Sequence, residues 1–226
     1  MFALKRRGWA ALFLGLAVGP ACGQTPPAGV VPASAAVKPV ADKPVDLVLE
    51  DQFGRKADIA TLRGHIIVLV YGDRAATDDC RALGENLHIL FHPTAKGQPA
   101  DKARLAPVEP LAGMPAGKAS PDVIVVPVAA AGSVPGVVKD LIRSSVKKAS
   151  PDVPVWLDFT GSMQDKFGLK SGQPNIAVFD ANGHLRTKIN GTPDRDSGTK
   201  LVQAIQNLRA EAAGLKDGDV ILKVNA

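Results

Sequence analysis

Residues 65–91 read HIIVLVYGDRAATDDCRALGENLHILF, and the fold turns on how this stretch divides. Ile66-Ile67-Val68-Leu69-Val70-Tyr71 is apolar throughout and mostly β-branched. A run without polar alternation is what a central strand covered on both faces requires. Gly72 and Asp73 break the run. From Thr77 to Phe91 the apolar residues Leu83, Leu87 and Leu90 recur at three- and four-residue spacing, the period of a helix. Thr77 suits an N-cap, and Asp78 and Asp79 suit the positive end of a helix dipole. A buried strand therefore runs into a helix, and Cys80 stands in that helix's first turn.

Working outward, Asp122–Val128 (DVIVVPV) reads as a second buried strand, and residues 92–120, rich in Pro, Gly, Ala and Lys, as a long insertion too polar for the core. Pro135–Ala149 is expected as a helix with Val138, Leu141, Ile142 and Val146 facing inward. Val153–Leu157 follows as a strand and Gly161–Phe167 as a short helix. Asn175–Phe179 and His184–Ile189 form a hairpin, with Asn182-Gly183 supplying the positive φ angles of a tight turn. A helix over about residues 196–213 turns Leu201, Ile205 and Leu208 inward and ends at Gly214. On the N-terminal side, Leu47, Leu49 and Lys56–Ile59 flank Gln52-Phe53-Gly54 as a short hairpin. This order predicts an α/β fold: a mixed central sheet with helices on both faces and an N-terminal β-hairpin.

The 226 residues suffice for one ordinary domain, here 46–213, and not for two large ones. Ahead of it, Lys5-Arg6-Arg7, the apolar run Trp9–Val18 and the break at Gly19-Pro20 have the three-part layout of a secretory signal, residues 1–23. The apolar run is about half the ~20 residues a membrane span needs. Cleavage after Gly23 and lipidation of Cys22 both remain open, so a periplasmic or secreted protein and a lipoprotein anchored through Cys22 are both consistent. Residues 24–45 are a Pro/Ala-rich linker. Removing Lys5, Arg6 and Arg7 takes the formal charge from +5 to +2, which gives no electrostatic reason to expect a nucleic-acid partner. Of the two cysteines, Cys22 belongs to the signal, so Cys80 is the one thiol of the domain and no internal disulfide forms there. It is either reactive or a small buried hydrophobe.

Leu49–Gly54 with Ile59–Gly64, the strand Ile67–Tyr71, and Gly172-Gln173-Pro174-Asn175 through Asp180–Gly183 resemble the thioredoxin-like superfamily, in its redoxin and peroxiredoxin branch. From Val134 onward the chain also resembles periplasmic YtfJ-type proteins. Thr77-x-x-Cys80 matches the peroxiredoxin pattern, with Asp73 in place of its proline. The resemblance implies catalytic roles for Cys80 and Thr77, with Arg143 as the arginine set against a thiolate. It also implies that Pro174 is the superfamily's cis proline and that Gln173 contacts the substrate backbone. Thr77 occupies the place of a first cysteine, which excludes a two-cysteine thioredoxin cycle.

Two functions follow as expectations. One is a thiol-dependent oxidoreductase nearest a one-cysteine peroxidase, with a peroxide substrate and an external thiol reductant. The other is a non-catalytic module that binds a peptide or protein partner. No cofactor is implied. His88 and His92 have the i, i+4 spacing of a metal pair, but no acid or thiol stands at ligand spacing, so solvated surface histidines and no metal are expected. Residues 213–225 resemble a fragment of a PDZ domain.

Overall fold

The computed structural model describes residues 43–115 and 117–215. The signal-like segment, nearly all of the linker, and the PDZ-like tail from residue 216 lie outside the described residues. The chain folds as β1 (Val48–Asp51), β2 (Lys56–Asp58), β3 (Ile66–Gly72), α1 (Thr77–Phe91), α2 (Ala100–Ala103), β4 (Val123–Ala130), α3 (Gly136–Ala149), β5 (Trp156–Asp158), α4 (Ser162–Phe167), β6 (Asn175–Phe179), β7 (Leu185–Asn190) and α5 (Arg195–Ala213). One seven-stranded mixed sheet results, in the order β2-β1-β5-β4-β3-β6-β7. β3 is parallel to β4 and antiparallel to β6, and every residue of β3 is buried.

The alternation of β3 divides the core between two faces. Ile67, Leu69 and Tyr71 pack with Met163 and Phe167 of α4. Ile66, Val68 and Val70 pack with Leu87 and Phe91 of α1 and with Leu201, Ile205 and Leu208 of α5. Burying each such aliphatic side chain contributes roughly 1.5–3 kcal/mol, so the two helices are held by their apolar stripes rather than by propensity.

Four local readings change. Of the face expected of α3, Val138 and Leu141 stay in solvent, Leu141 being 69% exposed, while Ile142 and Val146 are half-buried. Cationic side chains cover the sheet there instead, Lys139 and Arg143 lying 5.2 and 5.7 Å from the Phe159 ring centroid. β5 begins at Trp156 rather than Val153, because the buried Gln52 side chain occupies the preceding backbone. Its amide donates to the Ser150 and Val153 carbonyls and accepts from Val155 N–H. The β6–β7 turn is longer than an Asn-Gly pair, with only Gly183 at positive φ (+86°). There the Asp180 carboxylate takes the N–H groups of Asn182 and His184.

The fourth change concerns the insertion, which is docked rather than loose. Ala95 and Leu111 are buried and Val108 packs against the α1–α5 core. Buried Arg209 of α5 donates to the carbonyls of Glu109 and Pro121 at 2.6 and 2.9 Å. Composition concealed this because the docking partners are backbone carbonyls, which carry no residue-type signal.

Candidate functional site

β3 ends at Gly72, and the chain turns at once into α1. Asp73 builds that turn: Oδ1 accepts the N–H groups of Ala75 and Ala76 at 3.1 and 3.2 Å, and Oδ2 accepts Gly172 N–H at 3.0 Å. One carboxylate thus caps the turn and ties it to the loop ahead of β6. A proline's ring could do neither, which gives the departure from the peroxiredoxin pattern a structural purpose. Thr77 is not the cap. It lies inside the first turn of α1, and its hydroxyl donates to the Arg74 carbonyl at 3.0 Å.

Cys80 packs back onto the end of β3. A methyl group built on Gly72 would stand 2.7 Å from Cys80 Sγ, 3.0 Å from Ala76 Cβ and 3.5 Å from the Gln173 carbonyl oxygen. Gly72 is therefore the floor on which the thiol, the turn and the β6 loop converge. Gly72→Ala should cost about 1–3 kcal/mol through overpacking, read as a lowered denaturant midpoint. Adding Cys80→Ala should recover part of that loss. Equal midpoints for Gly72→Ala and wild type would refute the contact.

Asn175, which the sequence places in a motif but gives no role beyond opening a strand, holds the far side. Its buried Nδ2 lies 2.9 Å from the Gln173 carbonyl, 3.1 Å from that of Lys170 and 3.3 Å from that of Tyr71, and Oδ1 accepts Lys170 N–H. The available signal was a polar residue directly after a proline and ahead of the apolar run Ile176–Phe179. Gln173 does reach the site, through its backbone, while its side chain lies over Gly191. Pro174 is buried, but the described residues contain no cis peptide bond, so the Gln173–Pro174 bond is trans.

The electrostatics run against a thiolate. Burial first, then the Asp79 carboxylate, push the Cys80 thiol up to about 11; the Asp73 carboxylate adds to this, and a hydrogen bond from the Asn175 backbone N–H opposes it. The charges acting on the sulfur are both negative. Arg143 does not join them. Its guanidinium donates to Glu50 and Asp140, each at 2.6 Å. Glu50 pairs with Leu157, Leu157 with Ala129 and Ala129 with Gly72, so Glu50 and Gly72 stand at opposite ends of one row across four strands. At about 4.8 Å per strand spacing that is roughly 14 Å.

Around Cys80 the sheet reads β4-β3-β6-β7, with a parallel β3-α1-β4 crossover, an antiparallel β6–β7 pair and a closing helix. The fold is thioredoxin-like. No family model and no curated relative matches the chain. Solved structures do. The exposed lipoprotein thioredoxin Etrx1 of Streptococcus pneumoniae is 17% identical, covering 70% of this chain and 98% of its own, at a TM-score of 0.42. A secreted thiol-disulfide isomerase of Corynebacterium glutamicum is 11% identical over 78% and 93%, at 0.46. A DsbF homologue of Corynebacterium diphtheriae is 12% identical over 78% and 95%, at 0.44.

The histidine pair is not a solvated surface feature. His92 is buried and bonded to Asp122, and both its ring nitrogens and the Nε2 of His88 face protein oxygens. Among the described residues no group of three or more His, Cys, Asp or Glu is placed to hold a metal ion.

Proposed function

We propose that this chain is an exported thioredoxin-fold module that binds a peptide or protein partner at the Cys80 pole, where Asp73 and Gln173 are half-exposed, with Cys80 as an unactivated thiol. One observation carries the reading: Cys80 is wedged against Gly72 with carboxylates as its acting charges, and its thiol is pushed up to about 11. At neutral pH only about one molecule in 10⁴ then holds a thiolate, the form that attacks. The Thr77 hydroxyl and the Arg143 guanidinium, which a peroxidase would turn on the sulfur, are bonded elsewhere. Export rests on the signal-like residues 1–23. Among the described residues no helix is long and apolar enough to cross a membrane.

A thiol-dependent oxidoreductase is the second reading, and the Asn175 N–H bonded to the sulfur favours it, since that bond stabilises a thiolate. In that chemistry the thiolate attacks peroxide, the O–O bond breaks, and a sulfenic acid and hydroxide form. An external thiol then condenses with the sulfenic acid to a mixed disulfide, releasing water, and a second thiol releases Cys80 as the thiol with a disulfide of the two external thiols. The experiment is peroxide treatment of the purified protein, with the sulfenic acid trapped and read by intact mass. Oxidation no faster than free cysteine is expected, with Arg143→Ala unchanged. Oxidation faster by orders of magnitude would replace the binding reading with the peroxidase.

A further inference from the structure

The 93–121 insertion is gripped by two stacked imidazoles. His88 and His92 lie one turn apart at the end of α1, with ring centroids 4.2 Å apart and planes 19° from parallel. His88 Nε2 is 2.9 Å from the carbonyl of Ala103 in α2, midway along the insertion. His92, only 3% exposed, places Nδ1 3.0 Å from the His88 carbonyl and Nε2 2.8 Å from Asp122 Oδ1. Asp122 closes the insertion and leads into β4. One ring therefore holds the middle of the segment and the other its far end.

Hydrogen-bond chemistry assigns the protons. Burial disfavours the Asp122 charge, but the hydrogen bond and charge of His92, the Val123 N–H and the charge of His65 outweigh it and hold the carboxyl below its ordinary 3.8. Both nitrogens of His92 face oxygens that only accept, the His88 carbonyl and the Asp122 carboxylate, and a charge on that ring acts on Asp122 and on His88. His88 needs one proton, on Nε2, and makes its bond as the neutral ring.

We infer that the stack is an acid-released latch: a second proton, taken by His88, sets two imidazolium rings face to face and frees the 93–121 segment from α1 and β4. Asp122 faces the pair directly, and beyond it stand His65 ahead of β3 and Arg209 on α5, the latter also near Glu109 of the insertion. Asp122 favours a charge on His88, as does the Ala103 carbonyl. Burial and His92 oppose it and prevail, holding His88 below its ordinary 6.5. Released, His88 returns to that ordinary value, so opening takes up a proton. The closed form is favoured above the ordinary value and loses ground as pH falls toward the closed-state value. Over that interval the open fraction rises by at most tenfold per pH unit, the limit for one proton. Opening strips Val108 and Leu111 from the body of the domain.

Amide hydrogen exchange across residues 93–121, followed by mass spectrometry and corrected for intrinsic rates, tests this. As pH falls below the ordinary 6.5, wild-type protection should fall, by at most tenfold per pH unit. His88→Gln keeps a neutral donor for the Ala103 carbonyl, and its protection should stay level. Protection that ignores pH in the wild type, or that falls equally in His88→Gln, overturns the latch. Should His88→Gln not fold, the C2–H resonances of the four histidines decide the matter in the wild type. A His88 signal displaced to lower pH supports the latch, and one titrating like free imidazole overturns it.

Discussion

Alkylation of Cys80 by iodoacetamide at pH 7 should run at least about tenfold slower than that of free cysteine. Raising a thiol from the ordinary 9.0 to about 11 cuts its thiolate fraction about a hundredfold at neutral pH. Each remaining thiolate is more nucleophilic, by about tenfold for two pK units, which restores part of the loss. The sulfur's packing against Gly72 removes more. The profile discriminates better than a single rate. The logarithm of the rate should climb with unit slope through pH 9 and 10, where free cysteine levels off. Asp73→Asn and Asp79→Asn should each move the curve to lower pH, because each removes a negative charge acting on the sulfur. A plateau below pH 8 in the wild type would mean an activated thiol, and the binding reading would go with it.

Arg209→Met should destabilise the protein by about 3–5 kcal/mol, the cost of stripping a buried charged donor from its partners. Arg209 is 1% exposed, and its guanidinium satisfies the Glu109 and Pro121 carbonyls and the Gln206 side chain. Methionine fills much of the volume but donates nothing, so two carbonyls on the insertion lose their partner. For a domain of this size that is a drop of roughly 6–20 °C in Tm. The damage should be regional as well. Hydrogen exchange within 93–121 should accelerate at every pH, unlike the acid-dependent change assigned to His88. A loss under about 0.5 kcal/mol, the range of neutral surface substitutions, would show that Arg209 does not clamp the insertion.

The elements legible in the sequence share a cause. β3 is a run that only a doubly covered strand tolerates, and α1 and α5 carry apolar residues at a period that only a helix places on one side. Their signals are local, so the order strand, helix, strand, hairpin, helix could be read before any contact was known. Where the hydrophobic period misled, at α3, the helix formed as expected but its apolar face was only partly covered, with Ile142 and Val146 half-buried and Val138 and Leu141 in solvent. Amphipathic spacing states what a helix offers and not what stands opposite it.

For the candidate site the division is similar. Sequence alone determined that Cys80 is the domain's one thiol, that it sits where a buried strand becomes a helix, and that no second cysteine could pair with it there. Tertiary structure decided its character. The carboxylates near the sulfur, Gly72 beneath it, Asn175 across from it and the trans bond at Pro174 come from segments up to about a hundred residues apart. Arg143 was drawn to Glu50, a residue of the N-terminal hairpin far from the thiol. A thiol's pKa is set by burial and by charges within a few ångströms, and those distances exist only once the chain has folded.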